Sequence, residues 1–292
     1  MRRRALVVTH SGRDEAVAAT AQAVRDLEAA GFEILEDGEH GTDLTDVEIA
    51  VVLGGDGTIL RAAEITRGTS IPLLGFNLGH VGFLAESERE DISEAVRRIA
   101  SGDYEVEERG TLEVRAMVPG DPEPVHESWA LNEATVEKGD RDRMIEVVIE
   151  VDGRPLSSFG CDGVVMSTST GSTAYAFSAG GPVVWPDVDG MILVPVSAHA
   201  LFARPLVVGP RSVLAVEVLA RSTSGGVVRC DGRRRHDLAR GARVEVRRSD
   251  VPVRLARLSQ APFADRLVSK FSLPVEGWRG RAPADIARAA LP

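Results

Sequence analysis

The chain has 292 residues, 43% hydrophobic and 27% charged, and its 34 Lys and Arg against 44 Asp and Glu leave a formal charge of -10. That composition is globular, and the length suits roughly two domains of about 150 residues each. The acidic balance speaks against long-range attraction to nucleic acid or to an anionic membrane, so an anionic ligand needs local donors.

The first apolar run, Ala5 to Val8, follows Arg2 to Arg4 and stops at Thr9-His10, too short for a secretory h-region; it reads as a strand. Asp14 to Ala30 places Val17, Ala21, Val24 and Leu27 at helical spacing, and Gly31 ends that helix. Phe32 to Leu35 is a second strand. Ile49 to Leu53 is a third, apolar throughout as a parallel strand covered on both faces would be. Then come Gly54-Gly55-Asp56-Gly57-Thr58, a helix over Ile59 to Thr66, a strand over Ile71 to Gly75, a glycine-containing loop from Asn77 to Gly82, and a helix from Asp91 to Ala100. Up to Gly102 this is the βαβ grammar of an open α/β domain.

From Tyr104 onward the period falls to two, as in Thr111 to Val118 and Met144 to Val151. Turn signals recur at Asp152-Gly153, Asp162-Gly163, Gly209-Pro210 and Asp231-Gly232, which predicts a mainly antiparallel β domain of sandwich form. In Phe263 to Trp278 the alternation gives way to helix-like spacing, and this segment is expected to return to the first domain. The domains are thus drawn as 1–103 together with 262–292, and 104–261. No stretch reaches the 18 apolar residues of a membrane span. Cys161 and Cys230 are too few for a disulfide framework and suit a reducing cytosol. Their shared Cys-Asp-Gly triplet reads as coincident turn chemistry.

A strand running through Gly54 and Gly55 into a helix puts unhindered N–H groups beside a positive helix end, an arrangement that binds phosphate, although such glycines also serve tight turns alone. Asp56 tips the balance, because a carboxylate inside a phosphate loop repels the ligand unless it coordinates a metal or takes a proton. The loop lacks the Gly-Lys-Ser/Thr of a Walker A motif and the third glycine of a dinucleotide fingerprint. Asn132-Glu133 interrupts a strand-like run; the pair can grip a ribose or adenine edge, or simply mark a solvent-facing strand end. From Ser167 to Thr173 six hydroxyl residues surround Gly171, more than one helix cap requires, which favours a polar ligand surface. Tyr175, beside it, can stack on a ring or pack in the core. The six histidines are scattered and form no metal pattern, and no Gly-x-Ser-x-Gly elbow suggests a hydrolase.

Taken in order, Gly54 to Thr58, Asn77-Leu78-Gly79-His80-Val81-Gly82-Phe83-Leu84, Asn132-Glu133 and Asp162 through Gly181 resemble the motif set of the bacterial NAD kinase family. The resemblance covers nearly the whole chain. It implies transfer of a phosphoryl group from ATP or polyphosphate to the 2′-hydroxyl of the adenosine ribose of NAD, with a divalent cation, Mg2+, accompanying the donor. It further implies that Asp56 is the proton acceptor and that Gly57 and Arg61 line the dinucleotide phosphates. Asn132 and Glu133 would hold the adenosine portion. Asp162, Thr170, Thr173, Ala174, Tyr175, Ala176, Phe177 and Ser178 would hold the remainder, with Arg143 as another substrate contact. A cytoplasmic homodimer or homotetramer joined through the β-rich domain is also implied.

Two departures touch the finer contacts. Gly160 stands where many members carry Arg or Lys, and Arg233 where Gln or Asn is common. A lipid or sphingoid-base kinase shares the glycine-rich loop, but the hydroxyl-rich segment with Tyr175 suits a dinucleotide better than an acyl chain. A regulator that binds dinucleotide without chemistry is the third reading, and the intact Asp56 speaks against it.

Overall fold

The computed structural model describes residues 3–9, 14–36, 43–78, 82–85, 87–88, 91–259 and 261–275. Gly79, His80 and Val81 of the second motif, together with His10, His40, Trp278 and the rest of the segment beyond 275, lie outside the described residues.

The first third alternates strand and helix, as its hydrophobic spacing predicts. It contains β1 (Arg3–Thr9), α1 (Asp14–Ala29), β2 (Phe32–Glu36), β3 (Val47–Leu53), α2 (Asp56–Ile65), β4 (Leu73–Asn77), β5 (Ser87–Glu88) and α3 (Ile92–Ser101). Strands β2, β1, β3 and β4 lie side by side and parallel. Because both faces of this sheet are covered, β3 is buried at nearly every position: Ile49, Val51 and Leu53 face α1 and α3, whereas Val47, Ala50 and Val52 face α2. Helix α2 begins at Asp56, three residues earlier than expected, so the carboxylate sits on the first residue of the helix.

The alternating region supplies β6 (Glu105–Met117), β7 (His126–Ala130), β8 (Glu133–Lys138), β9 (Ile145–Val151), β10 (Arg154–Cys161), β11 (Gly163–Thr168), a 3₁₀ turn (Thr170–Thr173) and the short α4 (Tyr175–Ser178). It continues with β12 (Met191–Val196), β13 (Leu206–Val208), β14 (Leu214–Val218), β15 (Gly226–Cys230), β16 (Arg234–Leu238) and β17 (Arg243–Arg257), and α5 (Phe263–Phe271) follows. Two of the four turn signals are hairpin bends in which the Asp-Gly pair has both φ angles positive: Asp152 (53°) with Gly153 (73°), between the paired Val151 and Arg154, and Asp231 (51°) with Gly232 (67°), which with Arg233 lie between the paired Cys230 and Arg234. Asp162-Gly163 is something else, the passage of the chain from β10 in one sheet to β11 in the other.

The second sheet runs β13-β12-β11-β8-β15-β16 and packs against the antiparallel part of the first, enclosing a core that includes Val114, Val136, Ile149, Met166, Val216 and Val244. The sandwich partner is not a separate sheet. Strand β17 pairs with β6 along both halves, with a register shift between Ser249 and Val253; its first half also pairs with β14, and its second half lies parallel to β4 at Leu255, so one sheet of eleven strands carries both the parallel and the antiparallel regions. Helix α5 returns toward the first region. Its Phe263 and Phe271 rings pack on Phe83 at 6.0 and 5.8 Å between centroids.

Candidate active site

The chemistry-bearing residues gather where α2 begins, where β7 hands the chain to β8, and where β11 ends. At the first of these, Gly55 caps α2 without any side-chain bond, and its carbonyl accepts the Thr58 N–H at 2.9 Å. The opening N–H groups of a helix have no partner within it, and they concentrate its positive end. Gly55 and Gly57 are exposed there, with open space where a Cβ would stand. Thr58 is buried, and Gly54 is anchored by its N–H to the Phe76 carbonyl at 3.0 Å.

Asp56 does not hang free above this loop. Its two carboxylate oxygens accept the N–H groups of Phe83 (3.3 Å) and Leu84 (3.2 Å). That geometry needs Gly82, since a Cβ there would lie 2.4 Å from Asp56 Oδ1. The carbonyls of the same two residues are held from behind: Arg266 Nη1 donates to Phe83 O at 3.3 Å, and Arg257 Nη1 to Leu84 O at 3.4 Å. Arg257 Nε also donates to Glu107 at 2.6 Å, and Glu107 pairs with the buried Arg109. Burial would raise the Glu107 carboxyl, but Arg109 and Arg257 bring it below its usual range. Burial lowers Arg109 to about 10, against the pull of Glu107.

The second element is the passage Leu131-Asn132 between β7 in one sheet and β8 in the other. What reads in sequence as one interrupted strand is a change of sheet, and the change is held by side chains. Asp231 accepts the N–H groups of Leu131 (2.9 Å), Asn132 (2.7 Å) and Glu133 (3.3 Å). Leu131 itself is fully buried in the core beneath α2, with Ile59 and Ala62. Thr168 and Ser167 donate to the Leu131 and Asn132 carbonyls at 2.6 and 3.0 Å. Gly171 permits this approach, because a Cβ there would lie 2.1 Å from Asn132 O. Burial, with help from Asp231, pushes the Glu133 carboxyl up to about 8, against the pull of the Tyr175 amide. Its Oε2 is buried without a hydrogen-bond partner among the described residues.

The expected ligand surface of six hydroxyls is therefore mostly an internal brace. Ser167, Thr168, Ser169, Thr170 and Ser172 are buried. Ser169 Oγ donates to Val188 O, Ser172 Oγ bonds the Val184 backbone, and Arg109 Nη1 reaches Thr170 Oγ1 at 3.5 Å. A 3₁₀ turn leaves its backbone groups unpaired at both ends, and inward hydroxyls satisfy them. Beyond the brace the chain does turn outward. Tyr175 is 39% and Phe177 40% exposed, Ser178 is exposed, and Thr173 and Ala174 are half-buried, whereas Ala176 packs inward on Val165, Ile192 and Val194.

The ATP-NAD kinase N-terminal domain family matches residues 42–104, and the ATP-NAD kinase C-terminal domain family matches residues 131–258. A protein described as NAD kinase from Leifsonia xyli subsp. xyli is 61% identical over 94% of this chain and 96% of its own length. The chain belongs to the NAD kinase family. NAD kinase 2 of Streptomyces coelicolor is 54% identical over 95% of this chain and 97% of its own. Among solved structures, an NAD kinase from Archaeoglobus fulgidus in complex with ATP matches with a TM-score of 0.74 at 29% identity, over 93% of this chain and all of that one (100%). The yeast NADH kinase complexed with NADH shares the fold, with a TM-score of 0.85 at 19% identity over 96% of this chain and 90% of its own. The enzyme is accordingly a phosphotransferase that phosphorylates NAD, and the lipid-kinase and non-catalytic readings fall away.

The remaining residues to which the NAD kinase resemblance points are spread more widely. Asp162 lies where the chain changes sheet, 2.7 Å from Lys138 Nζ, and bonds to Lys138 and Ser197 hold its carboxyl below the usual range. Asp162, Glu137 and Glu133 all raise the Tyr175 hydroxyl after burial, which puts these four groups in one neighbourhood. Arg61 is half-buried on α2. Arg143 stands exposed in the turn 139–144, with no hydrogen bond or ion pair among the described residues. Gly160 lies on β10 beside Met144, and Arg233 is paired to Glu64 at 3.4 Å. Sequence reading missed Asp231 as a site residue. Its Asp-Gly signal pointed to a turn, and only the packing of β15 beside β8 brings that turn under Asn132.

Proposed function

We propose that Asp56 accepts the proton of the 2′-hydroxyl of the adenosine ribose of NAD as that oxygen attacks the terminal phosphorus of ATP. The new O–P bond forms as the bond from that phosphorus to the bridging oxygen breaks; ADP leaves with the bridging electrons, and the proton resides on Asp56. The observation that carries this is the fixed Asp56 carboxylate at the first residue of α2, beside exposed Gly55 and Gly57. The helix end and its open N–H groups suit a phosphate chain, and a carboxylate with both oxygens already placed loses little on reaching the reactive geometry.

The pair Asn132-Glu133 holds the adenosine portion in this reading. A carboxyl raised to about 8 retains its proton near neutral pH and can donate as well as accept a hydrogen bond, which suits a base edge or a ribose hydroxyl. Asp162, Thr170 and the segment Thr173 to Ser178 hold the rest, Gly57 and Arg61 line the dinucleotide phosphates, and Arg143 makes a further contact. ATP as the donor is supported by the family description and by the ATP complex of the Archaeoglobus relative; polyphosphate is the alternative.

Among the described residues no group of three or more His, Cys, Asp and Glu is arranged to hold a metal ion. This arrangement fits a divalent cation, Mg2+, carried in on the donor phosphates rather than one held in a cage of carboxylates. When bound, such a cation offsets the charge on the transferring group. No helix among the described residues is long and apolar enough to cross a membrane. Cys161 and Cys230 are buried free thiols, which suits a reducing cytoplasm. Leu156, Leu201, Phe202 and Val207, exposed on the β-rich region, support a homodimer or homotetramer. Sedimentation at assay concentration checks this, and a fully active monomer would refute it.

The central test uses purified enzyme with magnesium, NAD and either donor, followed by NADP formation, in the natural chain and in Asp56→Asn. Turnover lost by orders of magnitude with NAD binding retained is the expected result. Unchanged turnover would remove Asp56 from the chemistry.

A further inference from the structure

The carboxylate of Asp231 does more than close a hairpin. Its side chain is 1% exposed and takes four donors: Leu131 N–H and Arg234 Nη2 on one oxygen (2.9 and 2.8 Å), Asn132 N–H and Glu133 N–H on the other (2.7 and 3.3 Å). The Asp231 N–H in turn donates to the Glu133 carbonyl at 2.9 Å. Three successive peptide groups of the sheet change are thus oriented by one side chain a hundred residues away. Chain passages between sheets have no ladder partner for their N–H groups, so without Asp231 these buried donors would be unsatisfied.

The outer end of the network reaches α2. Arg234 donates through Nη1 to Glu64 on that helix, and through Nη2 to the Trp129 carbonyl at 2.7 Å as well as to Asp231. Its guanidinium lies over the Trp129 ring at 4.5 Å, and that of Arg67, just beyond the end of α2, lies over the same ring at 4.3 Å. The helix that carries Asp56 at its start is therefore tied near its end to the turn that holds Asn132 and Glu133.

From this geometry we propose that Asp231 is a positioning residue for NAD: it fixes the Leu131–Glu133 backbone so that Asn132 and Glu133 present their side chains to the dinucleotide, and Arg234 keeps that backbone in register with α2 through Glu64. The proposal rests on the reading of Asn132 and Glu133 as the adenosine contacts. Asparagine is the discriminating replacement for Asp231. It has nearly the same shape, but its amide nitrogen must face either the Leu131 N–H and Arg234 or the Asn132 and Glu133 N–H groups, donor against donor.

The experiment measures KM for NAD, KM for ATP, kcat and the thermal midpoint for Asp231→Asn, Asn132→Ala and the double variant, with NAD affinity by direct titration. Asp231→Asn is expected to raise the KM and the dissociation constant for NAD roughly tenfold while leaving the KM for ATP within about twofold, as loss of a charge-assisted hydrogen bond predicts. In the Asn132→Ala background the same change should add clearly less than its full tenfold, since part of its effect acts through Asn132 and the rest through Glu133. A purely structural role would lower the active fraction and the midpoint with no change in KM for NAD, or would multiply in full with Asn132→Ala; either result overturns the proposal. If Asn132→Ala and Glu133→Gln both leave NAD binding intact, the assignment of the pair fails, and the positioning role with it. A costly Asn132→Ala beside a neutral Asp231→Asn sinks the positioning role alone. Should Asp231→Asn not fold, Arg234→Gln takes its place: it frees one oxygen and the link to α2, and unchanged NAD binding there overturns the proposal.

Discussion

The two ends of the site are held in opposite ways. At the α2 end, Asp56 is half-exposed, and the groups that fix it are backbone N–H groups of residues 83 and 84, which follow α2 and β4 in the same α/β region. At the Asn132-Glu133 end the residues are buried, and their backbone is held by a carboxylate from β15-β16 and by hydroxyls from β11. The first arrangement leaves a carboxylate accessible for proton transfer. The second spends burial on orientation and raises an acid to about 8. In the proposed mechanism, chemistry thus sits at an open helix start, and recognition sits at a buried junction between sheets.

Perturbing each end in turn sharpens this contrast. The largest effect is expected from Asp56→Asn, with kcat reduced about 10²- to 10⁴-fold and NAD affinity nearly unchanged. Gly82→Ala follows, because a methyl 2.4 Å from the carboxylate must displace it. A shift of that kind costs roughly 10²-fold in kcat, measurable at saturating NAD and ATP. Gly171→Ala, at the other end, pushes on Asn132 O and should raise KM for NAD roughly tenfold while lowering the thermal midpoint. If Gly171→Ala instead lowered kcat alone, the division between a chemical and a recognition end would break.

Glu133→Gln probes the recognition end through pH. The folded state holds the Glu133 proton up to about 8, whereas the unfolded chain releases it near its ordinary 4.5. The folded form therefore binds more protons between these values, and stability contributed by the group falls as pH rises through that window. Denaturation midpoints from pH 5 to 8.5 should decline less steeply in Glu133→Gln than in the natural chain. An identical slope would mean that Glu133 titrates normally. The smallest effect belongs to Arg233→Ala. Its pair with Glu64 is long and half-exposed, and stability should change by no more than about 1 kcal/mol in chemical denaturation.

The same contrast explains what could be read in advance. Helix α2, the buried strand β3 and the carboxylate at their junction were legible because each is a local pattern: an apolar run, a glycine turn, a helical period. The hairpin at Asp152-Gly153 was legible for the same reason. The hydroxyl-rich segment was legible as unusual, but the burial of Ser167, Thr168, Ser169, Thr170 and Ser172 was not, since composition does not say which way a hydroxyl points. The run from Trp129 to Val136 looked like one interrupted strand because nothing in its alternation marks a change of sheet.

By itself, then, the chain's order of residues determined the βαβ start, the antiparallel remainder, the glycine-rich loop with Asp56 and, through its motifs, the family. Tertiary structure decided that β17 welds both regions into one sheet, that the hydroxyls face inward, and that Asp231 reaches the backbone at Asn132. The physical reason is range. Helix period and turn chemistry act between residues a few positions apart, whereas the burial and hydrogen bonding that orient Asn132 and Glu133 arise only when strands distant along the chain bring their donors and acceptors within about 3 Å of one another.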